Sequence, residues 1–417
     1  MVAVRSRIQR VKLGATVDSI DYRTRSDATV EEIDAAAWFD DRFPGLHREL
    51  AARGLRHLEL PPLALDVDGH QRTLLERDGT LVAVDGIVDG AVVLGLDAAQ
   101  FSEFAQDLRT MVAFWTGRDA RMEGPDDDLI GWDCVWRALV DGWPVHEPGG
   151  VALDVDLGRS FAPGDDPEEI ATFLRAAGFL HLRGWLEAAD MATIAADIDR
   201  AVPTYAKGDG RSWWATTSDG RDRVVRLQHF HHHSPTVSSI LDGPVRERLR
   251  EVLGGGVDVL EHRGRDGNRI EALIKPIGVV KGISDVPWHR DCSFGRHTYG
   301  CASTTIGVSV TAGREGTGLL RVVAGSHRAN VPSTGIGQVG DLPVVPLPTE
   351  VGDLTVHLGC TLHEAMPPVT GERKVLYTGF QLRMPEGAVG RRSPELVALR
   401  ERAHLLRDQP PSPVPAR

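Results

Sequence analysis

Cysteine is scarce in this sequence. Cys134, Cys292, Cys301 and Cys360 are the whole complement, and no two of them form a C-x-x-C pair. That rules against a disulfide framework and points to a reducing cytosol. Long apolar runs are missing too. No stretch approaches the roughly 20 apolar residues that a membrane-spanning helix needs, and the basic residues of positions 1–10 lead into no apolar segment of a secretory signal. Positive charge is in deficit, with 47 Lys and Arg against 59 Asp and Glu and a formal net charge of -12. Nucleic acid and anionic membranes select basic patches, so neither is an expected partner. Several chemical signatures are also absent. There is no G-x-S-x-G, which weighs against an α/β-hydrolase. Gly316-x-Gly318 has Arg321 where a third glycine would stand, so it is no dinucleotide site. His363-Glu364 opens like a zinc-protease helix, but Pro367 occupies the place of the second histidine.

What is present divides the chain. Its 417 residues are too many for one ordinary core and predict two domains. Residues 1–29 have little periodicity and read as a loose segment. Thr29, Glu31 and Glu32 open a helical pattern through Ala35, Trp38 and Phe39, which resumes over 46–55. Short strands then fit 63–69, 72–79, 81–86 and 91–96; the first three each run into Asp-Gly, which predicts an antiparallel meander. One helix fits 98–115, with Phe101, Phe104, Leu108, Met111 and Trp115 on or near one face, and another fits 129–139 before Asp141-Gly142. The expectation for 30–150 is an α+β domain with no paired acid and base, no metal spacing and no nucleophile elbow. Pro148-Gly149-Gly150 is the predicted boundary.

From 151 to 390 short strands with Gly and Pro punctuation predict a mainly-β jelly roll with flanking helices. One helix opens at Asp166-Pro167, where the aspartate can cap and the proline fits the first position, and it closes at Gly178. A strand follows over 179–183 and a helix over 187–201. Residues 391–417, with Pro410, Pro411, Pro413 and Pro415, read as a helix and a loose tail. His229, His231, His232 and His233 lie in one five-residue run, but neighbouring side chains diverge and the run holds no Cys, Asp or Glu; a loop or pocket wall is expected.

The chemistry centres on His289-Arg290-Asp291. In a strand, residues two apart share a side, so one imidazole and one carboxylate can aim at a common point. A second imidazole would complete the two-His, one-carboxylate set that suits Fe(II) and leaves a coordination face open. His363, 72 residues beyond Asp291, can supply it, with His357 as the alternative; His327 reads as a turn residue. Ten residues past His363, Arg373 heads the last long strand. An inward arginine can take a carboxylate through two parallel hydrogen bonds, as a dicarboxylate co-substrate requires.

The order His289-x-Asp291, Gly325-Ser326-His327-Arg328, Gly352-Asp353, His363 and Arg373 resembles the phytanoyl-CoA dioxygenase family, and residues 173–186 look like that family's opening segment. The resemblance covers about 158–390. It implies a jelly-roll oxygenase with Fe(II) on His289, Asp291 and His363, 2-oxoglutarate held remotely by Arg373, and O2 as second co-substrate. It further implies that Asp291 favours C–H oxidation, since halogenating relatives lack this carboxylate. Two departures stand out. Ala365 replaces a hydroxyl residue that some relatives carry after the distal histidine, and apolar Leu273 and Ile274 precede Lys275-Pro276 where some members are polar. Residues 30–148 resemble a sterol-carrier-type lipid-binding domain, which with Trp185, Trp213, Trp214 and Trp288 suggests a small apolar or lipid-like substrate. Two alternatives remain: a non-oxidative jelly-roll metalloenzyme, and a catalytically silent lipid-binding module.

Overall fold

The computed structural model describes residues 31–117, 119–253, 257–259, 268–282, 284, 286–294, 303–333 and 339–382. The expected segments 1–29 and 391–417 lie outside the described residues. No helix among the described residues is long and apolar enough to cross a membrane.

Strands β1 (Leu63–Val67), β2 (His70–Arg77), β3 (Thr80–Asp85), β4 (Val92–Leu96) and β5 (Arg121–Glu123) form a sheet of order β3-β2-β1-β4-β5. The meander extends over β1 to β3. Its turns, Asp68-Gly69 and Asp78-Gly79, hold both residues at positive φ, the backbone whose twist suits a two-residue hairpin. β4 leaves the meander and lies parallel to β1, with Val92 beside Leu63. Asp34 caps the helix Ala35–Ala37, its carboxylate accepting from the Ala37 amide at 2.8 Å; Thr29 lies outside the described residues. The predicted helix over 98–115 is broken into Ala98–Ala105 and Met111–Gly117. Between them Asp107 takes a φ of 49° and pairs at 3.5 Å with the buried Arg137. Beneath the sheet Phe104 stacks on Trp136 with centroids 4.1 Å apart, and Trp38 stacks on Trp136 at 5.5 Å. Phe101 and Phe104 thus fill a packed aromatic core.

Beyond it come β6 (Phe179–Leu182), β7 (Ser212–Thr217), β8 (Asp222–Leu227), β9 (Val257–Val259), β10 (Glu271–Lys275), β11 (Val279–Lys281), β12 (Val286–His289), β13 (Ser303–Ser309), β14 (Leu320–Val323), β15 (Val344–Leu347), β16 (Leu354–Leu358), β17 (His363–Ala365) and β18 (Arg373–Leu382). The larger sheet has the order β11-β7-β8-β10-β18-β13-β16-β6, with β9 also on β18; the smaller is β12-β17-β14-β15. This is the double-sheet jelly roll, with helices packed outside. Ala272, Ile274, Ile306, Val308, Leu354, Val356, Leu376 and Phe380 face the helices in one apolar core. The two-residue period of a strand then turns Glu271, Leu273, Lys275, Thr305, Gly307, His357, Arg373 and Tyr377 to the opposite face, inside the barrel.

The tryptophans distribute unevenly. Trp185 is in the helix-side core and donates to the Phe161 carbonyl at 3.2 Å. Trp214 packs against the same core. Trp288 belongs to a small cluster with Val323, Val331 and Leu362, under the Arg321 guanidinium. Trp213 pairs across β7 and β8 with Arg226, on the inner face.

We propose 30–150 and 151–390 as two domains, because each builds its own apolar core. Buried bonds tie them together. Asn330 donates through Nδ2 to the carbonyls of Cys134 and Trp143, both at 2.9 Å, and the Thr110 hydroxyl donates to the Ser293 carbonyl at 2.8 Å.

The helix Pro167–Ala177 starts on Asp166 and ends at Gly178 with φ 84°, as its sequence predicts. A Cβ at Gly178 would collide with His327 and Thr361. His327 is buried there and its Nε2 donates to the Arg175 carbonyl at 2.9 Å, the turn role expected of it. Burial pushes its pKa down to about 4 against the bonding help of Arg175, with lesser repulsion from Arg328 and Arg290. Because the folded value lies below the ordinary 6.5, its contribution is complete above pH 6.5 and is lost as pH falls toward 4. The loss is on the order of 3 kcal/mol. Urea midpoints measured from pH 7.5 to 4.5 should therefore fall more steeply for the wild type than for His327→Gln; parallel curves would contradict this.

Candidate metal centre

Antiparallel pairing of β12 with β17 sets His289 directly opposite His363. Their rings are 4.2 Å apart. Each Nδ1 meets a carbonyl two residues back, His289 with Pro287 at 2.7 Å and His363 with Thr361 at 2.9 Å. A carbonyl only accepts, so Nδ1 carries a proton in both rings and Nε2 is the nitrogen that faces Asp291. Burial, followed by the neighbouring His357 and His289, holds the His363 pKa well below the ordinary value. That residue is the neutral imidazole a metal requires.

Asp291 departs from the strand geometry expected of it. β12 ends at His289, and Asp291 opens the 3-10 turn Asp291–Phe294. The cause is Arg290, which is buried and donates to the carbonyls of Ser326 at 2.8 Å and Ala329 at 3.0 Å, drawing the chain out of the ladder. The carboxylate still reaches the pair. Its Oδ1 lies 3.5 Å from His289 Nε2 and 3.9 Å from His363 Nε2. The three donor atoms are all within 4.8 Å of one another, and no other such group of His, Cys, Asp or Glu occurs among the described residues. Donors adjacent around one iron-sized ion stand about 3 Å apart at metal–ligand distances near 2.1 Å, and the two Oδ1 distances lie within about an ångström of that. The donor set fits such an ion.

The outer oxygen, Oδ2, accepts from Thr305 Oγ1 at 2.8 Å. His357 Nε2 lies 3.6 Å from the same oxygen, and its ring is 4.0 Å from that of His363. His357 falls outside the group of three, so the geometry assembles His363, not its alternative, with His289 and Asp291.

Arg373 begins β18 opposite Lys275 on β10. Its Nη1 donates to the Gly318 carbonyl at 2.6 Å, while its buried Nε has no partner. Gly313 makes the room: a Cβ there would stand 2.9 Å from Arg373 Cζ and Nη2. Burial lowers the Arg373 pKa, against the pull of Tyr377. Lys275 is buried alongside, its Nζ 3.3 Å from the Met366 carbonyl. A dicarboxylate's remote end would meet a dry, cationic recess here.

Other inward residues escaped the sequence reading. Tyr377 sits between Glu271 and Gly307 in the strand register; burial raises its pKa, with Arg373 and Arg226 opposing. Glu271 lies 3.3 Å from Arg226, which covers the Trp213 ring at 4.2 Å. Counting by twos from Arg373 would have found Tyr377. Nothing local links Arg226 to Glu271. The histidine run forms the turn Phe230–His232 outside the metal group, with the His229 amide bonded to Asn268.

A jelly roll whose smaller sheet carries two histidines, with a carboxylate on the turn that follows and an arginine on the facing sheet, is an arrangement that fits a facial-triad metal enzyme. Residues 174–375 match the phytanoyl-CoA dioxygenase family, and this part of the chain is a domain of that family of Fe(II)- and 2-oxoglutarate-dependent enzymes. All four residues above fall within it. Among solved structures the chain is similar to the epimerase SnoN in complex with Fe3+, α-ketoglutarate and a nogalamycin compound, with 19% identity and a TM-score of 0.41 over 54% of this chain and 93% of that one. AviO1 from Streptomyces viridochromogenes matches at 18% identity and a TM-score of 0.41, over 54% and 98%. EvdO2 from Micromonospora carbonacea, complexed with 2-oxoglutarate, matches at 17% and 0.39, over 56% and 96%. No curated protein matches the chain.

Proposed function

We propose that the protein is an Fe(II)- and 2-oxoglutarate-dependent oxygenase that hydroxylates, or otherwise oxidises at a C–H bond, a small organic substrate. The observation that carries this reading is the convergence of two imidazole rings and one carboxylate oxygen in a domain of this family. Bound iron would supply the activation of O2 coupled to conversion of 2-oxoglutarate to succinate and CO2. The chain's own residues do the rest. His289, Asp291 and His363 would hold the ion. Arg373 takes the remote carboxylate, with Lys275 adding charge to the same recess. Asp291 supplies a full carboxylate donor, which supports oxygenation over halogenation.

A lipid-like substrate loses part of its support. Trp185, Trp214 and Trp288 pack away from the inner face, and the wall beside Tyr377 is built of Trp213, Arg226 and Glu271. That wall supports a carbon skeleton bearing hydrogen-bonding groups. A non-oxidative metalloenzyme would leave the arginine recess without a task, and a silent lipid-binding module would not need the converged donors. Cys134, Cys292 and Cys360 are thiols, which supports a cytosolic setting.

The test is to give metal-free protein Fe(II), 2-oxoglutarate and ascorbate, with and without small-molecule extracts, and to measure succinate. Iron- and O2-dependent succinate, raised by a fraction of the extract, is expected. Failure of 2-oxoglutarate to bind the iron-loaded protein would sink the reading.

A further inference from the structure

His357 has a place at this centre that the ligand set leaves unexplained. It lies on β16 opposite Thr305 on β13, on the inner face, and is 1% exposed. Neither ring nitrogen has a hydrogen-bond partner. A side chain needed there only to fill space would be apolar, because burying two unsatisfied polar atoms is costly. The nearest charged atom to its Nε2 among the recorded pairs is Asp291 Oδ2 at 3.6 Å, beyond hydrogen-bond length. Thr305 already donates to that oxygen at 2.8 Å. The other oxygen, Oδ1, is the one turned toward His289 and His363.

We propose that His357 is a positioning residue: with metal bound, its Nε2–H closes onto Asp291 Oδ2 and, with the Thr305 hydroxyl, restricts the carboxylate to one-oxygen ligation. The inference rests on the iron-site reading above. A carboxylate that swings its second oxygen onto the ion takes two coordination positions in place of one. A one-oxygen carboxylate would leave more of the ion's coordination sphere to 2-oxoglutarate and O2. Thr305 alone occupies one acceptor direction of Oδ2; a second donor occupies the other. His357 is suited to this because imidazole is a rigid donor fixed by its strand, and a movement of about half an ångström brings 3.6 Å to an ordinary N–H···O length.

The test uses the full chain loaded with Co(II) in place of iron, with titrated affinity and the visible absorption of the bound ion as readouts. His357→Phe removes the donor, and His357→Gln restores one. The phenylalanine variant is expected to lose about tenfold or more in affinity, the range for partners of metal ligands, and to show an altered Co(II) spectrum. The glutamine variant is expected to keep affinity within about threefold, with the wild-type spectrum. Thr305→Val provides a second route should His357→Phe fold poorly: combined with His357→Gln it should lose no more than Thr305→Val alone. Wild-type affinity and spectrum in His357→Phe would overturn the proposal. So would equal loss in the glutamine and phenylalanine variants, which would make His357 a ligand itself. No Co(II) uptake by the wild type, or uptake unaffected by His289→Ala, would overturn the iron-site reading as well, and is distinguishable from both.

Discussion

Asp291→Ala should leave a folded protein that no longer holds iron. Both sides of this expectation follow from where the carboxylate sits. It begins a turn, its side chain is 14% exposed, and its bonds go to Thr305 and toward the histidine pair. Removing it breaks no strand ladder, and burial keeps the neighbouring His363 below its ordinary pKa. Stability should change by no more than about 1 kcal/mol. Metal binding should suffer far more. Loss of an outer partner of a metal ligand already costs 10- to 100-fold; loss of the single anionic donor should exceed about a hundredfold. Succinate formation should fall below detection. Asp291→Asn, with a neutral amide oxygen in the same place, should lie between. Iron content after desalting, thermal melting and succinate assay separate these effects. One iron per chain in Asp291→Ala, with succinate within tenfold of wild type, would move the carboxylate ligand elsewhere.

The contrast between His289 and Asp291 shows why parts of the site were legible and others not. The pairing of His289 with His363 follows from chemistry that the sequence displays: scarce residue types, one far from the other, each beside strand-forming residues that a double sheet brings face to face. The turn at Asp291 was not legible, because it depends on Arg290 reaching carbonyls at 326 and 329. Tertiary hydrogen bonds override a two-residue period. The same reason applies in the first domain, where a continuous apolar stripe over 98–115 hides a break made by the Asp107–Arg137 pair. Hairpins written in Asp-Gly turns were legible because the signal is local. The return of β4 beside β1 was not, since periodicity identifies a strand without naming its neighbour. The inner wall of Arg226, Glu271 and Tyr377 needs a register, which only assembled strands define.

Arg373→Ala should raise the KM for 2-oxoglutarate strongly while lowering kcat at saturating co-substrate less. In the proposed function the guanidinium would take the end of the co-substrate remote from the reacting carbon, so its contribution would be to binding in ground and transition states alike. Removing one partner of a buried, charge-assisted pair costs about 2–5 kcal/mol, which is about 30-fold or more in affinity. Arg373→Lys restores charge without the planar fork and should recover only part of the loss. Arg373 also supports the Gly318 carbonyl at 2.6 Å, so lost binding could reflect a collapsed loop. Gly313→Ala separates the two. It keeps the arginine and its charge, but its Cβ would lie 2.9 Å from Cζ and Nη2 and must push the guanidinium aside. If the recess holds a carboxylate, Gly313→Ala should raise the KM for 2-oxoglutarate by about tenfold or more, with metal content unchanged. Calorimetric titration of 2-oxoglutarate into Mn(II)-loaded protein reads this directly. An unchanged affinity in both variants would leave Arg373 a purely structural residue and would place the co-substrate's far carboxylate on another cation of the inner face, of which Lys275, its partner across the strands, is the nearest in register.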